Sequence, residues 1–176
     1  MAESAVKGHW DAPSGEVRQV TVPADERKLC TLAHVGYEDA FLVEVGDPGA
    51  RTPEEWVRVI IESAPAVVRR ALWPGWTAIG LKLHPTTDRE SVLGWEVHRS
   101  TPEFVLLAAG SRIGMPAQLL LKRNEHALLF STFVQHDNQA ARAVWAATEP
   151  MHVPIVRRIL SEAASRWSTR TTTWSG

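Results

Sequence analysis

Between residues 52 and 167 the chain changes its hydrophobic period twice, from three-to-four residues to two and then back again, and no other feature limits its fold as tightly. The first segment reads as an amphipathic helix, the middle as a run of β-strands, and the last as one long helix. Strands that follow one another with short polar turns pair antiparallel, and a sheet apolar on one face must bury that face against helices. The order therefore predicts an α+β fold in which a curved antiparallel sheet wraps around helical elements.

The first helix is the best marked element. Thr52-Pro53-Glu54-Glu55 places a threonine at the N-cap, a proline at the first helical position and a glutamate at the third, a capping box that satisfies otherwise orphaned amide donors. Trp56, Val59, Ile60, Ala64, Val67, Val68 and Ala71 then recur at helical spacing, opposite Arg58, Glu62 and Arg69. Pro65 interrupts this pattern, because a proline inside a helix removes one hydrogen bond and clashes with the preceding turn. The spacing thus predicts a kinked pair, about 53–63 and 65–72, ending before Trp73-Pro-Gly-Trp76.

Alternation follows. Val17–Val22 and Asp39–Val45 read as strands ahead of the helix, and Ile79, Leu81 and Leu83 alternate with Gly80, Lys82 and His84 behind it. Leu93, Trp95 and Val97 alternate with Gly94, Glu96 and His98, and Ser100-Thr-Pro-Glu103 turns the chain into Phe104–Ala109. Segments around 118–122 and 127–135 complete at least four consecutive antiparallel strands. Asp137 or Asn138 caps the closing helix, which runs to about Trp167 and is about 40 Å long at about 1.5 Å per residue. Pro150 and Pro154 predict bends in it, and its buried stripe includes Val144, Thr148, His152, Ile155, Ile159 and Ala163. Residues 1–16 and 168–176 read as loose ends around a single domain at 17–167.

With 176 residues the chain can bury a core without staples, and its one cysteine, Cys30, leaves no intramolecular disulfide and fits a reducing compartment. A net charge of -1 with no long basic run argues against a nucleic-acid partner. No secretory leader and no apolar run long enough to span a bilayer is legible, so the expected setting is cytoplasmic. Oligomeric state leaves no mark. Eight tryptophans against one tyrosine point to indoles lining a groove as well as filling a core.

Motifs for defined chemistry are missing. No His-x-x-x-His, His-Glu-x-x-His or Cys-x-x-Cys occurs, so neither metal nor cofactor is expected. His98 and His136 end strands and read as surface residues. Gly110-Ser-Arg-Ile-Gly114 has its serine second, where a nucleophile elbow needs it third. Gly75-Trp-Thr-Ala-Ile-Gly80 lacks the lysine of a phosphate loop. Glu96, Glu125 and Asp137 read as solvated charges near strand ends.

Phe133-Val-Gln-His-Asp-Asn138, Glu149-Pro-Met-His152 and Val156-Arg-Arg-Ile-Leu160, with Tyr37–Val43 and Pro53–Trp56 upstream, carry a resemblance. Together with the element order they resemble the helix-grip superfamily of START-type, birch-pollen-allergen-like and polyketide-cyclase proteins, SRPBCC, in an actinobacterial branch of mostly unknown function. The resemblance covers about residues 37–165. It implies a cavity between the long helix and the sheet that takes a lipid-like or polyketide-like molecule, with no reaction common to the superfamily. The residues expected to line that cavity are Trp56, Trp95, Val97, Arg112, Trp145 and His152, core packing being the competing reading for the tryptophans. For His152 the competing role is a bond to the backbone carbonyl freed by Pro154. Two alternatives remain at this point: a cyclase, dehydratase or hydrolase acting on such a ligand, and an interaction module using Trp10, Trp73 and Trp76.

Overall fold

The computed structural model describes residues 16–45, 47–62, 64–86 and 90–171. The segments 1–15 and 172–176, and with them Trp10, lie outside these residues. In chain order the elements are β1 (Val17–Val20), α1 (Ala24–Arg27), β2 (Tyr37–Glu44), a 3-10 turn at Pro48–Ala50, α2 (Pro53–Glu62), α3 (Ala66–Ala78), β3 (Leu81–Lys82), β4 (Ser91–Val92), β5 (Trp95–Ser100), β6 (Phe104–Ser111), β7 (Ala117–Arg123), β8 (Ala127–Val134) and α4 (Gln139–Thr171).

The strands form one curved sheet in the order β1-β2-β8-β7-β6-β5-β4, with β3 paired to the far end of β6. Every pairing is antiparallel. From β5 to β8 the strands are consecutive in space as in sequence, and β8 then returns to lie beside β2, so that both long central strands are shielded from the edges.

Because side chains alternate across a strand, each central strand serves two cores. Phe41, Val43, Leu119, Leu121, Leu128 and Phe130 point to the face that carries α2 and α4. Ala40, Leu106, Leu120, Leu129 and Phe133 point to the opposite face, where Val22, Leu29, Cys30, Leu32 and Val35 cover them. This second cover, built from the segment around α1, has no periodic signature, and sequence reading passes over it. It is fastened by polar side chains on the same face: Lys122 Nζ lies 2.7 Å from Glu26 Oε1, Arg27 pairs with Glu38, and Gln118 Oε1 accepts from the Thr31 amide at 2.9 Å.

The capping box forms as the sequence indicates. The Thr52 amide donates to Glu55 Oε2 at 2.8 Å and the Glu55 amide to Thr52 Oγ1 at 3.2 Å. Three boundaries differ from expectation. α3 does not stop at residue 72 but passes through Pro74 to Ala78. Thr77 Oγ1 donates to the carbonyls of Trp73 and Pro74, and the helix ends only where Gly80, at φ +90, takes the left-handed conformation that closes a helix C-terminus. Second, Leu93 and Gly94 are not strand residues. With φ of 47 and +92 they form the two-residue turn joining β4 to β5, where the backbone requires positive φ at both positions. The turn sets the register that pairs Val92 with Trp95. Third, α4 extends to Thr171 and is continuous through Pro150 and Pro154. Its N-cap is Asn138, whose Oδ1 accepts from the Ala141 amide at 2.9 Å.

Candidate functional site

Between α3, the middle of α4 and the sheet runs an apolar groove of about 450 Å³. Its floor comes from alternate residues of neighbouring strands, Leu119 of β7 and Phe130, Thr132 and Val134 of β8, with Trp95 of β5 at one side. Its walls come from helical stripes: Leu72, Trp76 and Ile79 on α3, and Trp145, His152 and Ile159 on α4. The groove opens to solvent between the helices, where Val67, Met151 and Ile155 line it while remaining 80%, 61% and 43% exposed.

Two tryptophan clusters mark its sides. Trp95 is buried and meets Trp76 edge-on, with ring centroids 5.4 Å apart. Trp145 packs between Tyr37, at 4.7 Å, and His152, at 5.2 Å.

Beside Trp145 lies the most polar corner of this face. Asp39, on β2, is 5% exposed, and its Oδ2 accepts the Tyr37 hydroxyl at 2.9 Å and lies 3.0 Å from His152 Nε2. Asp39 and Thr132 are direct partners across the β2–β8 ladder, so the carboxylate and the hydroxyl start side by side. Burial raises the Tyr37 pKa well above the ordinary phenol value, and the adjacent charge of Asp39 raises it further, which keeps the hydroxyl protonated as a donor. A carboxylate accepts hydrogen bonds and cannot donate, so the proton shared with His152 belongs on Nε2, leaving Nδ1 as the second ring nitrogen.

Among the described residues, four buried polar atoms in this region find no hydrogen-bond partner: Nε1 of Trp95 and of Trp145, Oγ1 of Thr132 and Oδ1 of Asp39. The first three belong to residues of the groove lining.

Of the six residues singled out from sequence, Trp95, Trp145 and His152 are brought together on the groove. Trp56 is not there. It is buried 3% exposed under α2, donates Nε1–H to the Pro48 carbonyl at 2.9 Å and lies beneath the Arg51 guanidinium, which is core packing with its polar atom satisfied. Val97 faces the same core but lies beyond the lining, next to the register shift that interrupts β5 between Val97 and Arg99. Arg112 is exposed in the turn after β6, where its amide donates to the Gly80 carbonyl at 2.8 Å. His152 reaches Asp39 in place of the expected carbonyl freed by Pro154, because its position on α4 overlies β2. Sequence reading missed Tyr37, Asp39 and Thr132. The available signal was a carboxylate at an inward position of an otherwise apolar strand, since Asp39 shares its face with Phe41 and Val43.

Among the described residues no cluster of three metal-ligating side chains occurs, and no helix is long and apolar enough to cross a membrane. His98 and His136 are not brought together, since β5 and β8 are separated by two strands. No family model matches the chain, nor does any curated protein or solved structure.

Proposed function

We propose that this chain is a helix-grip protein of the SRPBCC type that binds an apolar or amphipathic small molecule, lipid-like or polyketide-like, between α3, α4 and the sheet. The observation that carries the reading is the groove itself. Its volume of about 450 Å³ falls within the range of about 300–1,000 Å³ usual for small-molecule sites, and its lining is apolar except for a few buried polar groups. The fold order of curved antiparallel sheet and long closing helix supports the superfamily assignment. A reducing, cytoplasmic setting belongs to the same reading and is supported by the single cysteine, which leaves no intramolecular disulfide.

Native mass spectrometry of gently purified protein tests the proposal. A co-purified small molecule is expected, together with a shift of tryptophan emission on titration with an apolar ligand, because Trp76, Trp95 and Trp145 all contact the groove. Bare protein mass and unchanged emission across lipid-like and polyketide-like probes would sink it.

One observation favours a second reading, an enzyme acting on the bound molecule as a cyclase, dehydratase or hydrolase. Asp39 holds His152 by Nε2, the arrangement in which a carboxylate orients an imidazole for proton transfer through its other nitrogen. On this reading His152→Ala abolishes turnover and leaves binding intact. The interaction-module alternative loses support, because Trp73 and Trp76 are half-buried and Trp76 is engaged with Trp95.

A further inference from the structure

We infer that the mouth of the groove docks on an anionic lipid surface and, resting on the groove reading, that the apolar ligand enters from there. The inference starts from where exposed apolar surface falls. Among the described residues the large hydrophobic side chains left exposed are Val67, Met151 and Ile155, and all of them line this one opening. They come from two helices far apart in sequence, so it is the fold that gathers them. Exposed apolar side chains scattered singly need no explanation, whereas a cluster around the entrance of an apolar groove marks a contact surface.

Charge names what is contacted. Residues three apart on a helix are surface neighbours, and an exposed arginine follows Val67 at that spacing, Arg70, as another follows Ile155, Arg158. Arg158 itself lines the groove. Over α3 and residues 151–166 of α4, Arg69, Arg70, Arg157, Arg158 and Arg166 stand against Glu162 alone, in a chain whose net charge is -1. The sequence has no long basic run; the excess is concentrated only when both helices border one opening. The nearby carboxylates are engaged. Glu162 Oε1 holds Arg158 Nε at 2.9 Å, Glu62 pairs with Arg58, and Glu149 bears on Tyr37 and His136. Arginine suits a lipid interface because its stem lies along apolar surface while its guanidinium reaches phosphate oxygens. A second copy seated isologously would set these arginines against their own counterparts, which like-charge repulsion opposes. An apolar ligand leaves water for a bilayer, so a mouth seated on lipid takes it up without a passage through solvent.

The test is co-sedimentation of the full chain with vesicles of phosphatidylcholine alone and of equal parts phosphatidylcholine and phosphatidylglycerol. Partitioning should favour the anionic vesicles by about tenfold or more at low salt and weaken as salt rises. Arg70→Gln should lower it by about fivefold. Val67→Ser combined with Met151→Ser removes the apolar anchor and should lower it by about tenfold or more; both side chains are exposed, so the fold is spared. Equal partitioning onto the two vesicle types overturns the inference, as does anionic binding that these substitutions leave unchanged. A solution mass that rises with concentration in the parent chain and not in Met151→Ser overturns it in favour of a second copy. Tryptophan emission with an apolar probe in solution reads the groove separately. A probe response without vesicle binding overturns the docking, leaves the groove reading standing and turns the mouth over to an acidic protein partner. Vesicle binding through the mouth without a probe response removes the groove reading and the ligand entry, and the docking surface stands.

Discussion

Helices α2 and α3 are consecutive, lie over the same side of the sheet and carry the same kind of apolar stripe, yet they are seated differently. In its ten residues α2 buries Pro53, Trp56, Val57, Ile60 and Ile61. In its thirteen α3 buries none. Val68, Leu72 and Trp76 of α3 are only half-buried, and they face the groove. An amphipathic pattern states which face of a helix avoids water; it does not state whether that face meets protein or a space. The groove exists because α2 fills its share of the sheet, with only Ile60 and Ile61 reaching the groove, and α3 stands off from its own.

Core truncation gives the largest way to break this contrast. Ile60 is 1% exposed among Phe41, Trp95 and Leu121, so Ile60→Ala should lower the unfolding free energy by about 2–5 kcal/mol, through lost burial and the cavity left behind. Val67→Ala, at a side chain 80% exposed, should stay within about 0.5 kcal/mol. Urea melts of both variants measure the difference, and similar losses would mean that α3 is as firmly packed as α2.

α4 supplies the opposite case to α3, since a buried polar contact ties it to the sheet. Asp39→Ala removes the acceptor of both the Tyr37 hydroxyl and His152 Nε2 and should cost about 1–3 kcal/mol, with Asp39→Asn milder because one acceptor oxygen remains. Denaturant midpoints check the order. If the asparagine variant were as damaged as the alanine one, the charge of Asp39 rather than its hydrogen bonds would be holding α4.

Much of this was legible in the sequence, and what was not has identifiable causes. The α2 N-terminus, the hairpin turn at Thr101 and the closing helix follow from local chemistry, and local chemistry is written in neighbouring residues. Pro74 misleads because a proline removes only one helical bond, that to the carbonyl four residues before it, and the helix runs on through it to the glycine in the left-handed region that closes it. The segment over the outer face is held by Gln118 and Lys122, about ninety residues away in sequence, and such pairing leaves no periodic trace. For the same reason Trp145 and His152 could be placed on an inward stripe, whereas their partner Asp39, on a strand from the other end of the domain, could not. Trp56 and Trp95 look alike as inward tryptophans; only the location of α3 makes one a core residue and the other a groove wall.

A smaller effect separates the two helices at their N-termini. The Thr52 hydroxyl and the Glu55 carboxylate cap α2 reciprocally, while α3 starts at Pro65 with no side-chain cap bond among the described residues. Thr52→Ala should therefore cost about 1 kcal/mol. A loss below a few tenths in urea melts would mean that packing alone fixes the start of α2.

The smallest effect is a pH dependence present at one of these termini and missing from the other. The Thr52 amide holds the Glu55 pKa below its ordinary value of 4.5, with the Thr52 hydroxyl and then Arg51 adding to the shift. Since the folded value is the lower one, the unfolded chain takes up the proton first on acidification. The stabilisation is complete above the ordinary value and is lost as pH falls through the folded one. The site is solvent-exposed, so the change is small and sensitive to salt. Glu55→Gln keeps a capping acceptor but cannot titrate. The stability advantage of the parent chain over this variant should shrink between about pH 7 and about pH 3 in matched urea melts. A constant difference across that range would mean that Glu55 caps α2 through its geometry and not through its charge.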